Sequence, residues 1–126
     1  MRKMIYTLTA AGLVFAAAPA PAHADAKASD GKVGLSVRGK GLRVDDVGAY
    51  MEGHGTGVRA RLITYTPKGY RSELTGWKDA TPQSAALTKL STVGWKWKGG
   101  RVFPHGTRLC VEFNTVQGEP CAVIHR

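Results

Sequence analysis

The sequence predicts an all-β protein, a small antiparallel β-sandwich of about seven strands. Short segments with alternating apolar and polar residues recur along the chain, and Gly, Pro and Asn separate them. No long segment has the apolar spacing of a strong helix. A small closed barrel is the alternative that the same pattern allows. A chain of this length is expected to form one domain with a single modest core.

Residues 1–24 have the composition of a secretory signal peptide. Basic residues come first, an apolar, Ala-rich run follows from Met4 to Ala18, and Ala22-His23-Ala24 is a small-x-small cleavage site. The run is too short and too rich in Ala for a transmembrane helix of about 20 strongly apolar residues. We therefore expect a secreted, extracellular protein without membrane insertion.

The mature chain is basic. Without the two basic residues of the leader, 16 of the 18 Lys and Arg remain against 9 Asp and Glu, a formal charge of +7. This charge favours anionic partners such as wall polymers or acidic proteins, although it can also serve solubility alone. The basic residues are scattered rather than clustered, so nucleic acid is not an expected partner.

A short flexible arm is predicted at the start of the mature chain, before a β-sandwich domain over residues 33–126. The arm contains no large apolar side chain, which is typical of segments that cannot bury themselves in a core. Its residues are Asp25, Ala26, Lys27, Ala28, Ser29, Asp30, Gly31 and Lys32.

Strands are predicted in order from residue 33. Val33 to Val37 alternates apolar and small residues, and the next strand has two halves joined by a bend or bulge at Asp45-Asp46. After a Gly-rich turn, Val58 to Thr66 is the clearest strand. Successive side chains of a strand point to opposite faces. One face then carries Val58, Ala60, Leu62 and Thr64, and the other carries Arg59, Arg61, Ile63 and Tyr65.

The second half of the chain continues the pattern. Tyr70 to Trp77 follows a Pro-Gly turn. Thr81 to Leu90 is the one stretch that could be helical, and a loop or an irregular strand fits its composition equally well. Three further strands are indicated by the alternation of Val93, Trp95 and Trp97, by that of Leu109, Val111 and Phe113, and by the segment from Cys121 to Arg126. Gly99-Gly100 is interpreted as a turn.

The two cysteines, Cys110 and Cys121, are expected to form a disulfide because export places them in an oxidising compartment. If Leu109, Val111 and Phe113 face the core, the disulfide joins the last two strands on the outer face of the sheet. Val123 and His125 would then lie beside it, pointing outward. This outer face is either a contact surface or ordinary scaffold.

No pattern in the mature chain indicates catalysis, a metal or a cofactor. His54, His105 and His125 lack the spacing of metal ligands, and no Gly-x-Ser-x-Gly nucleophile motif is present. Both thiols are expected in the disulfide, so no Cys remains as a nucleophile. The prediction is a non-enzyme without catalytic residues, metal ligands or cofactors.

The tryptophans allow two interpretations. Trp95 and Trp97 lie on the same strand face as Val93, so at least one of them is expected in the core. If that face points outward, its aromatic rings between lysines would suit a sugar or an anionic polymer. Trp95, Trp97, Val123 and His125 are therefore the candidate contact residues.

The region from about Gly39 to Arg126 resembles a family of small secreted proteins of Streptomyces and related actinomycetes. Some members are similar to the adaptor subunit of umbrella toxin particles. That resemblance implies a β-sandwich whose N-terminal arm inserts into a partner and which bridges a lectin-like subunit and a toxin-bearing subunit. The segments that carry it are Gly41 to Val44, Tyr50 to His54, Thr56 to Leu62, Leu74 to Asp79, Phe103 to Thr107, Leu109 to Phe113 and Pro120 to Arg126.

Three functions follow from these observations. The first is an adaptor that binds secreted proteins through its arm and a sheet edge or face, with strand addition as one mode of binding. The second is an inhibitor of an extracellular protease or glycosidase, which would present the loop from Asn114 to Pro120 or, as a second candidate, the segment from Arg101 to Thr107. The third is a cell-wall or carbohydrate-binding module that uses Trp77, Trp95 or Trp97.

Overall fold

The computed structural model describes residues 26–126, so the predicted signal peptide and Asp25 lie outside the described residues. The described residues form ten β-strands, and none of their segments is a helix long and apolar enough to cross a membrane. The strands are β1 (Ala26–Asp30), β2 (Val33–Lys40), β3 (Arg43–Glu52), β4 (Arg59–Tyr65), β5 (Arg71–Glu73), β6 (Lys78–Asp79), β7 (Thr81–Ala85), β8 (Thr88–Val102), β9 (Thr107–Phe113) and β10 (Cys121–Ile124).

The strands form two antiparallel sheets around one core, which confirms the predicted all-β class. The first sheet has the order β1-β2-β3-β8-β7. The second has the order β10-β9-β4-β5, and the short β6 pairs with the other end of β4. Both sheets contribute apolar side chains to the core. Its buried members include Val33, Leu35, Val37, Val44, Val47, Ala49, Met51, Ala60, Leu62, Val93, Leu109, Val111, Phe113, Ala122 and Ile124.

The predicted flexible arm is wrong for residues 26–30, which form β1 at the edge of the first sheet. A two-residue turn at Gly31-Lys32 folds β1 back onto β2, with Asp30 opposite Val33. Gly31 has a φ of +61°, the left-handed conformation that the first central position of a type II′ hairpin turn requires. The half-buried Ala26 packs against the core and helps to hold the strand. The folded domain therefore includes β1.

The bulge predicted at Asp45-Asp46 is present where β3 pairs with β8. Val44 lies opposite Arg101 and Asp46 lies opposite Lys96, so Asp45 alone spans the four residues 97–100 of β8. The interpretation of Gly99-Gly100 as a turn is wrong, because β8 continues through both glycines to Val102. Their φ values of +79° and +83° let the strand bulge outward without ending.

Residues 81–90 form a β-hairpin rather than a helix. β7 pairs with the start of β8 from Thr81 opposite Thr92 to Ala85 opposite Thr88. Ala86 begins the two-residue turn with a φ of +56°. Pro82 lies on this outermost strand, where its missing N–H is tolerated because an edge strand pairs on one side only.

Candidate binding surfaces

The open edge of the first sheet is formed by β1. Because the turn has two residues, Asp30 and Val33 are a hydrogen-bonded pair, and the pattern alternates from there. The N–H and C=O groups of Lys27 and Ser29 consequently point away from β2. Both residues are exposed, and their outward main-chain groups have no hydrogen-bond partner among residues 26–126. Strand addition requires unpaired main-chain groups of this kind.

The end of β1 is fixed by the loop before β10. The Glu119 main-chain N–H donates to the Asp30 carboxylate, with 2.9 Å between nitrogen and oxygen. The loop also passes so close that a Cβ on Gly118 would meet the Asp30 carbonyl oxygen at 2.7 Å. Asp30 was expected in a flexible arm, but these contacts fix its position against the loop. The open edge is the part of β1 that precedes Asp30.

The disulfide joins β9 and β10 as predicted. Cys110 and Cys121 are directly opposite each other in the register, with their Cα atoms 4.0 Å apart. The core side of this hairpin carries the side chains that were expected there, since Leu109, Ala122 and Ile124 are all buried. The disulfide is accordingly on the outer face of the second sheet.

That outer face has an apolar centre that the sequence pattern did not indicate. Ile63 and Cys110 are directly opposite on neighbouring strands and both have no solvent exposure, although they point away from the core between the sheets. A network of ion pairs lies beside them on the same face. Arg61 pairs with Glu112 at 2.6 Å and with Glu73 at 3.2 Å. Ionic side chains and the disulfide therefore enclose a second, smaller apolar cluster.

Tyr65 connects this face to the loop before β10. Its hydroxyl donates to the Glu119 carboxylate at 2.7 Å, and the guanidinium carbon of Arg108 lies 4.7 Å from the centre of its ring. The hydrogen bond to Glu119, with burial and the negative charge of Glu119, raises the pKa of Tyr65 above its usual value of 10.0. The neutral phenol is thus the form that the fold favours.

The four candidate contact residues lie in two separate places. Val123 is 47% exposed on the outer face, and the half-buried His125 follows it, with its ring 6.4 Å from that of His105. Trp95 and Trp97 are half-buried and pack against the edge of the core on the other sheet. They do not form one surface with Val123 and His125.

Cations surround the two tryptophans at this margin. Lys78 donates to the Gly94 carbonyl oxygen and its ammonium lies 5.9 Å from the centre of the Trp95 ring. The Arg101 guanidinium lies 5.9 Å from the centre of the Trp97 ring. The rings pack against the core, as the first interpretation expects, and they also make cation–π contacts with these two groups.

Among residues 26–126, the clustered metal-ligand atoms belong to Cys110, Glu119 and Cys121. Both sulfurs are bonded to each other in the disulfide, so neither is a thiolate that could bind a metal. His54 lies elsewhere, with its Nε2 2.7 Å from the Gln83 carbonyl oxygen. This contact joins the Gly-rich turn at residues 53–57 to β7.

The loop from Asn114 to Pro120 is tied to the body along its length. The Asn114 side chain accepts from the Arg59 N–H and donates to the Gly57 carbonyl, at 2.8 Å each. Pro120 is buried, and its carbonyl accepts from the Val111 N–H. The loop therefore lies against the domain rather than projecting from it.

No known protein family, curated protein or solved structure matches this chain. The assignment of the candidate surfaces therefore rests on the geometry of this structure.

Proposed function

We propose that this protein is a secreted, non-enzymatic adaptor that binds other secreted proteins and bridges subunits of an extracellular antibacterial toxin assembly. Its partners would be a lectin-like subunit and a toxin-bearing subunit, as the resemblance to umbrella-particle adaptors implies. The observation that carries the proposal is the open main-chain edge of β1. A partner segment would add as a further strand along Lys27 and Ser29.

Strand addition suits this edge for physical reasons. Main-chain hydrogen bonds supply affinity in this mode, and they need an extended strand with unpaired N–H and C=O groups. The side chains of Ala26, Ala28 and Ser29 are small and leave the approach open. The fixed end at Asp30 holds the strand in place before a partner arrives, which lowers the ordering entropy lost on binding.

The inhibitor function has less support. An inhibitory loop must project into an active site, and the loop from Asn114 to Pro120 is instead held by side-chain and main-chain hydrogen bonds against β4 and β9. The adaptor proposal uses a surface that is open, so we place it first.

The test is a proline at the open edge. Ser29→Pro removes an N–H that points outward, so β1 can keep its pairing with β2. Ser29→Val is the matched control, because it keeps the N–H and suits a strand. Each mature variant, with a C-terminal tag, is captured from the culture supernatant of the producing organism, and the proteins retained are identified by mass spectrometry.

We expect the wild type and Ser29→Val to retain a lectin-like and a toxin-like chain, and Ser29→Pro to lose at least one of them. Circular dichroism of Ser29→Pro establishes that the domain is folded. Equal retention by all three proteins would contradict binding at β1. Retention of an active hydrolase alone would move the inhibitor to first place.

A further inference from the structure

The outer face of the first sheet has a row of small residues running across its strands. In the register, Lys27 lies opposite Ser36, Ser36 opposite Gly48, and Gly48 opposite Gly94. These positions alternate with buried core residues such as Leu35, so they point away from the core. We call this row, from Lys27 on β1 to Gly94 on β8, the glycine trough. It spans three strand spacings, about 14 Å.

Larger side chains stand on both sides of the trough. On one side Tyr50, 39% exposed, lies over Gly34, where a Cβ would collide with the tip of its ring. On the other side Arg38 and Asp46 form two hydrogen bonds of 2.9 Å. One depression of about 660 Å³ is lined by residues that include Lys27, Ser36 and Tyr50, and a second of about 510 Å³ is lined by residues that include Gly48 and Gly94.

The fold does not account for Gly48 and Gly94. Neither has a positive φ. Among residues 26–126, a Cβ built on Gly48 meets nothing within 4 Å, and one on Gly94 meets only the Val47 carbonyl oxygen, at the ordinary distance of 3.8 Å. Gly within a strand weakens it, by roughly 0.5–1 kcal/mol relative to Ala. Two glycines directly opposite each other, with no such requirement from the chain, indicate close approach by a group from outside.

The trough is positively charged. Lys27 and Lys96 border the two depressions, and neither forms an ion pair among residues 26–126, although Lys96 lies directly opposite Asp46 on the neighbouring strand. Lys78 reaches the Gly94 end, where its ammonium donates to the Gly94 carbonyl. Among residues 26–126, the carboxylate that borders the depressions is that of Asp46, and it is paired with Arg38. An anionic group bound along the trough would meet ammonium groups at both of its ends.

We infer that the glycine trough binds an acidic polysaccharide. The main chain of β2 and β3 is paired on both sides, so the floor offers an extended peptide no free N–H or C=O. It offers instead a flat surface, the Tyr50 ring and hydroxyl groups such as that of Ser36. This surface suits sugar rings, whose C–H faces pack on aromatic rings and whose hydroxyls form hydrogen bonds. The flanking lysines supply the preference for an acidic chain.

This inference does not rest on the adaptor proposal, which uses the main-chain edge of β1 rather than the outer face of the sheet, although Lys27 belongs to both surfaces. It also differs from the expected carbohydrate site at Trp77, Trp95 and Trp97, because it lies on the outer face of the sheet. Trp95 borders only the end of the trough next to Lys78.

The test fills the trough. Gly48→Thr adds a side chain into open space and introduces a residue that favours strands. Gly76→Thr is the matched control, because Gly76 also lacks a positive φ and no atom of the described part of the chain lies within 4 Å of its built Cβ. Binding of polygalacturonate, neutral dextran and poly-L-glutamate is measured by isothermal titration calorimetry near 0.15 M salt, so that long-range charge effects are screened.

We expect the wild type and Gly76→Thr to bind polygalacturonate and not dextran, with poly-L-glutamate at least tenfold weaker. Gly48→Thr should raise the Kd at least tenfold while its Tm stays equal or increases, a combination that a purely structural glycine would not produce. Lys96→Gln should weaken binding about threefold. Absence of polygalacturonate binding, equal binding of poly-L-glutamate, or unchanged affinity of Gly48→Thr would overturn the inference.

Discussion

Replacing Ile63 with Ala tests whether the outer face of the second sheet has a true apolar centre. Ile63 has no solvent exposure, although it points away from the core between the sheets. The change removes three carbon atoms, and at about 0.8 kcal/mol for each buried CH₂ the lost transfer free energy is about 2.4 kcal/mol. The ionic side chains above can move inward and fill part of the cavity. The free energy of unfolding should therefore fall by about 2.5–3 kcal/mol, near the lower end of the range for such changes.

Urea denaturation followed by tryptophan fluorescence measures this change, with the disulfide kept oxidised. Trp77 is a suitable reporter, because the guanidinium carbon of Arg61 lies 4.4 Å from the centre of its ring. Val123→Ala on the same face is the matched control, and at 47% exposure it should change stability by no more than about 0.5 kcal/mol. A loss for Ile63→Ala no larger than that of Val123→Ala would refute the reasoning.

Three further predictions concern stability. Replacing Cys110 and Cys121 together by Ala should lower the free energy of unfolding by about 3 kcal/mol, given their sequence separation of 11, and a small or absent decrease in Tm would contradict this. Tyr65→Phe should cost about 1 kcal/mol at pH 8 through the lost bond to Glu119. Because the folded pKa of Tyr65 is raised, that contribution is fully present below pH 10 and is lost as the pH rises through the raised value, so denaturation curves of wild type and variant should converge there. Ala86→Gly should stabilise the domain by about 0.5–1 kcal/mol by relieving a positive φ, and thermal denaturation that shows a lower Tm would count against this.

Much of the fold could be predicted because its signals are local. Alternation in the segment from Leu109 to Phe113 identified the core side of β9, and the same alternation located the disulfide on the opposite face. The Asp45-Asp46 pair interrupts an apolar pattern, and the structure has its bulge there. In each case the pattern within one strand carried the information.

The N-terminal strand was missed because its residues are small and polar. Its pairing depends on a turn rather than on large apolar side chains. The available signal was Gly31 followed by Lys32 between two extended segments, which is typical of a two-residue hairpin turn. If this turn signal is given more weight than the absence of large apolar residues, the sequence predicts β1.

The candidate surfaces depend on contacts between distant parts of the chain. Ile63 lies on the polar face of its strand by alternation, and it is buried only because β9 brings Cys110 opposite it and the Arg61 ion pairs lie beside it. Gly48 and Gly94 are 46 positions apart in the sequence, and only the pairing of β3 with β8 brings them together. The local sequence pattern could not predict this site, because glycines such as these are also typical of ordinary turns.

Lys27 connects the two proposed binding sites. Its main chain faces the open edge of β1, and its side chain borders the glycine trough on the outer face. A partner strand added beside β1 would continue the sheet and lengthen the trough by one strand spacing, about 4.8 Å. The two ligands would therefore occupy adjoining rather than overlapping surfaces. An adaptor built in this way can hold a partner protein at the sheet edge while the face of the same sheet contacts an acidic polysaccharide.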